Sequence, residues 1–111
     1  MNVQAKQMFR QLMHTATRDS SEFIRDSAER LNTILLRLSK GEISMEVAHV
    51  LLKRLEREAE ARKIKEKVEI ATRIQAISLR LMDIALNVLL KSVPGVGISA
   101  TLLKELLIQR D

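Results

Sequence analysis

The chain has 111 residues, with 19 Lys and Arg against 14 Asp and Glu for a net charge of +5, and its only aromatic side chains are Phe9 and Phe23. At this length one domain buries a sufficient core only if most helices contribute a whole face, and that core must be made of Leu, Ile, Val, Met and Ala. Three glycines and one proline exclude the turn chemistry of an all-β fold, and the absence of cysteine excludes disulfides and thiolate metal sites.

The first element in the chain is a helix at about 2–17, with Met8, Phe9, Leu12, Met13 and Ala16 gathered on one face. A cluster of Thr, Ser and Asp around Arg18 favours caps over helix interior and predicts a break there. Asp19 followed by Glu22 resembles a capping box, and Phe23, Ile24, Ala28, Leu31, Ile34, Leu35 and Leu38 form the apolar face of a second helix at about 20–39. Gly41 suits a left-handed C-terminal cap and Ser44 the next N-cap. So short a turn sends the following helix back antiparallel, bringing Leu31 and Leu35 near Leu52 and Ala48, and Ile24 and Ala28 near Ala59 and Leu55.

From residue 42 to 93 there are 52 residues without glycine or proline, which predicts one helix over about 44–92. Its charged section, 53–69, mixes acids and bases around Leu55, Ala59, Ile64 and Val68 and reads as a solvated face. Ile70, Ile74, Ile77, Leu81, Ile84 and Val88 then step by 4, 3, 4, 3 and 4, the spacing of a seam between packed helices. Asn87 reads as a buried polar residue fixing register or oligomer state. A rod of this span is about 73 Å long, whereas residues 2–39 cover at most about 57 Å of it, so its most apolar end overhangs.

The whole chain, 1–111, therefore reads as a single all-α domain: a long, coiled-coil-like antiparallel helical hairpin plus a short helix at about 99–110 after a Pro-Gly turn. Ser99 caps that last helix, whose apolar face is Leu102, Leu103, Leu106 and Leu107. The expected self-association interface is Ile70, Ile74, Ile77, Leu81, Ile84, Val88, Leu102, Leu103, Leu106 and Leu107, forming a helical bundle by oligomerisation.

The turn 93–97 reads Val-Pro-Gly-Val-Gly between two apolar helices, and here the sequence locally resembles the helix-hairpin-helix family. The resemblance implies sequence-independent DNA binding, with phosphate contacts from Lys91, Gly95, Gly97 and Lys104. The family usually places a small residue four positions after the second glycine, where this chain has Thr101. A second alternative is a membrane-active apolar hairpin at 84–108, although no Trp or Tyr anchors an interface.

Glu46 and His49 have the E-x-x-H spacing of di-iron bundles but lack accompanying inward glutamates, so no metal and no cofactor is expected. No nucleophile, base and acid stand at a recognisable spacing, so no catalytic residue is expected either. The N-terminus lacks the apolar run of a signal peptide, and no uncharged stretch reaches the roughly 20 residues of a transmembrane helix. The sequence thus points to a non-enzymatic assembly, structural or adaptor subunit, cytoplasmic or within a larger assembly, whose partner is a copy of itself or another helical protein.

Overall fold

In a computed structural model that describes residues 3–90, and the side chains of 4–87, α1 (Val3–Thr17) and α2 (Glu22–Ser39) are joined by a turn at 18–21 and pack against each other. Phe9, Met13 and Ala16 are buried, as are Ile24, Ala28, Leu31, Ile34 and Leu35 of α2, while Leu12, Phe23 and Leu38 pack against this core. Met8 lies off the buried face and is exposed, with Arg80 directed at its sulfur. The N-cap of α2 is Ser21, whose Oγ accepts from the Ile24 N–H at 3.4 Å. Asp19 is therefore not the helix cap that its spacing from Glu22 suggested; its Oδ1 accepts the Ser21 N–H at 2.8 Å.

α2 ends in paired hydrogen bonds, Gly41 N–H to Leu38 C=O at 3.1 Å and Glu42 N–H to Arg37 C=O at 2.9 Å, closing a Schellman motif with Gly41 at φ 72°. Ser44 then caps α3 (Met45–Lys65) by accepting the Val47 N–H at 3.1 Å. α2 and α3 pack together, and Ala48, Leu52, Leu55 and Ala59 enter the core with Leu31, Leu35, Ala28 and Ile24.

The long helix expected over 44–92 is divided. Glu66 (φ −96°, ψ 162°) and Lys67 (φ −62°, ψ 153°) adopt extended backbone, and the chain turns back through α4 (Val68–Arg73), a π-helical segment (Ile74–Leu79) and α5 (Arg80–Leu90), which together make a fourth rod. Tertiary burial is the reason. Interrupting the helix forfeits a few backbone hydrogen bonds at a net cost of about 1 kcal/mol each. Folding back buries Ile74, Ile77, Leu79, Leu81, Met82, Ile84 and Leu86, and each large side chain so buried contributes roughly 1.5–3 kcal/mol. The apolar residues Leu81, Met82, Ile84, Ala85 and Leu86, which overhang in a two-rod hairpin, are thus covered by the chain itself, and the longest dimension is 43 Å, too short for a 73 Å rod.

The fold is all-α, four helical rods with no strand among the described residues. The fourth rod touches all three others, its π-helical segment packing against α1, α2 and α3. Buried positions consequently cover much of its circumference, and the wider π turn adds a residue to that circuit. Among the described residues, the buried polar ones are Ser27, Asn32 and Ser78. Asn87 is exposed, so it is not buried among the described residues as its place on the apolar helix suggested.

Candidate functional site

Of the seam residues, Ile74, Ile77, Leu81 and Ile84 are buried in the chain's own core and Ile70 is half-buried against it, while Val88 belongs to α5 and its side chain falls outside the described ones. Leu102, Leu103, Leu106 and Leu107 fall outside the described residues, as do Lys91, Gly95, Gly97 and Lys104, the turn 93–97, the helix expected at 99–110 and most of the apolar hairpin 84–108.

α3 has a second stripe, aliphatic at its ends and basic at its centre, that the expected seam does not include. Val47, Val50, Arg54, Arg57, Ala61 and Ile64 follow one another by 3, 4, 3, 4 and 3 residues, and all six are exposed. At 100° per residue they lie on the side of the helix opposite Ala48, Leu52, Leu55 and Ala59. Val47, Val50 and Ile64 are 45%, 53% and 83% exposed, and Val68, just past the bend, is 81% exposed. The spacing was present in the sequence, but placing Ile64 and Val68 in one continuous inner seam concealed it.

The ion pairs around this stripe are already allocated. Glu58 accepts from Arg30 of α2 at 2.7 Å, and that hydrogen bond holds the Arg30 pKa above its ordinary value against the opposing effect of burial. Glu60 pairs with Lys63 at 3.2 Å, Glu56 with Lys53 at 3.3 Å, and Glu66 with Arg62 at 2.7 Å. Arg62 also stands over the Phe23 ring, 5.3 Å from its centroid. Among the described residues, Arg54 and Arg57 have no ion-pair partner.

A groove of about 260 Å³ runs between α3 and the fourth rod, lined by Glu56, Glu60, Gln75, Leu79, Arg80 and Asp83. Each of its carboxylates is paired with a cation on its own helix, Asp83 with Arg80 at 3.3 Å, and Lys63 crosses the rim to donate to Gln75 at 2.7 Å. The groove thus holds charge-neutralised carboxylates over a leucine. Glu46 is exposed and His49 half-buried on the first turns of α3, and no group of three His, Asp or Glu side chains among the described residues is placed to hold a metal. No helix among them is long and apolar enough to cross a membrane.

Comparison with protein families, curated proteins and solved structures finds no match to this chain.

Proposed function

We propose that this protein is a non-enzymatic assembly or adaptor subunit that acts through protein–protein association, with copies of itself or with another helical protein. One observation carries the reading: α3 carries aliphatic side chains on two opposite sides, and among the described residues only those of the inner side pack into the bundle. A helix that serves only its own core places polar residues on the opposite face, so exposed aliphatics at seam spacing at both ends of this face, Val47 and Val50 at one and Ala61 and Ile64 at the other, point to a docking helix. Association through Ile74, Ile77, Leu81 and Ile84 would require the fourth rod to leave its place, because these side chains are buried. Among the described residues, none packs over Val47, Val50 or Ile64 on the outer face of α3, which are exposed without unfolding.

The test is absolute mass in solution, by size-exclusion chromatography with light scattering across a range of concentrations, for the native chain and for Val50→Asp with Ile64→Asp. An oligomer that the double substitution disperses supports self-association. A monomer directs the search to another protein, by photo-crosslinking from position 50 or 64 in cells that make the chain. A monomer without a specific crosslinked adduct overturns the proposal.

A further inference from the structure

We infer that the outer face of α3 receives an acidic amphipathic helix of another protein, with aliphatic side chains at its two ends and carboxylates at its centre. This rests on the association reading above and specifies the partner's chemistry. The stripe has three parts: Val47 and Val50 at one end, Arg54 and Arg57 in the middle, and Ala61 and Ile64 at the other. It spans 18 residues, about 26 Å of helix, so a partner of similar length matches it.

The two arginines weigh against a second copy of the chain, since the favourable Glu46–Lys65 pairs that an antiparallel copy would form fall at the solvent-screened ends of the contact. In a parallel contact Arg54 meets Arg54 and Arg57 meets Arg57. In the antiparallel register that pairs Val47 with Ile64 and Val50 with Ala61, Arg54 meets Arg57. Both arrangements gather four guanidinium groups at the centre of the interface, where like charges select against pairing. The acids of α3 nearest to them do not neutralise them, because Glu58 is held by Arg30 and Glu60 by Lys63. An incoming carboxylate finds both guanidinium groups exposed and free for two-pronged pairing, and the flanking aliphatics exclude water on either side. The aliphatic ends distinguish this face from a simple polyanion site, which needs no apolar contact at seam spacing.

The experiment uses the full chain and two fluorescent 20-residue helical peptides, identical in their Leu and Ile seam positions, carrying either Glu or Lys opposite Arg54 and Arg57. Fluorescence anisotropy is expected to show the Glu peptide binding at least tenfold tighter than the Lys peptide. Val50→Asp with Ile64→Asp is expected to weaken it at least tenfold while the circular dichroism melt is retained, since both positions are exposed. Arg54→Glu with Arg57→Glu is expected to reverse the preference, and Thr33→Asp on α2 to leave binding unchanged. Equal binding of the two peptides, or none of either, overturns the inference, as does Glu-peptide binding that survives Val50→Asp with Ile64→Asp. Tighter binding of a 20-nucleotide oligothymidine, lost on arginine reversal but not on the aliphatic substitutions, would likewise overturn it in favour of a nucleic-acid face. An oligomer by light scattering combined with no peptide binding would refute the acidic helix yet leave the association reading standing.

Discussion

Asp19 and Arg73, 54 residues apart in the chain, meet in a two-pronged ion pair: Arg73 Nε donates to Oδ2 and Nη2 to Oδ1, each at 3.1 Å. Arg73 also donates to Ser20 Oγ at 3.3 Å, and Arg25 reaches back to the Asp19 carbonyl at 2.7 Å. The turn between α1 and α2 is thereby fastened to the fourth rod at the last residue before its π-helical segment begins. The carboxylate is the less exposed member, its side chain 7% exposed against 37% for the arginine.

That asymmetry sets the order of the substitutions. Arg73→Ala leaves a largely covered carboxylate without its counter-ion and is expected to cost about 2–3 kcal/mol. Asp19→Ala leaves a half-exposed guanidinium and the half-exposed Ser21 N–H, both of which water can solvate, and is expected to cost less, about 1–2 kcal/mol. The double variant should be less destabilised than the sum of the singles. Denaturant unfolding of all four proteins measures this, and additive losses would mean that the pair does not act as a unit.

Acid should undo the same fastening. Burial works to raise the Asp19 pKa, but the Arg73 hydrogen bond, the Ser21 N–H and the charges of Arg73 and Arg25 together hold it below the ordinary 3.8. The folded chain thus binds the proton less readily than the unfolded chain, so the contribution is complete above the unfolded pKa and is lost as pH falls through the folded one. Stability is expected to decline more steeply below about pH 4 in the native protein than in Asp19→Asn. Thermal melts between neutral and strongly acid pH would reveal parallel profiles if Asp19 contributes nothing.

The fold class and the turn after α2 were legible because their determinants are local: Gly41 supplies a positive φ, Ser44 a hydroxyl for the Val47 N–H, and the apolar face of α2 a period near 3.6. The bend at Glu66 and Lys67 was not legible, because neither residue opposes helix and the bend follows from burying Ile74 to Leu86 elsewhere. The 4-3 spacing from Ile70 identified packing residues without saying whether the partner rods belong to the same chain. The outer stripe of α3 was written in the same alphabet, yet only the exposure of Val50 and Ile64 separates it from core. Asp19 read as a cap because its partner Arg73 is remote in sequence.

Ser78 predicts a stabilising substitution. Its hydroxyl is buried in the π-helical segment without a hydrogen-bond partner. Ser78→Ala removes the unsatisfied group and only a small volume, and is expected to raise stability by about 1 kcal/mol. Calorimetry should show the midpoint rise by about 4 °C. A fall of similar size would mean that the hydroxyl has a partner in solution.

Leu81 and Ile64 separate core from surface by the same substitution. A two-rod hairpin joined to a second copy through its seam predicts that Leu81→Asp disperses an oligomer and leaves folded protomers. In the four-rod bundle Leu81 is 1% exposed, so Leu81→Asp loses a packed side chain and buries a carboxylate without a cation, together more than about 4 kcal/mol. That is a large share of the roughly 5–15 kcal/mol that holds a domain of this kind together. Leu81→Asp should therefore lose much of its helical circular dichroism at 37 °C, whereas Ile64→Asp should melt within about 0.5 kcal/mol of the native chain. A folded Leu81→Asp protomer would place Leu81 outside the intramolecular core and return the fourth rod to an interface between copies.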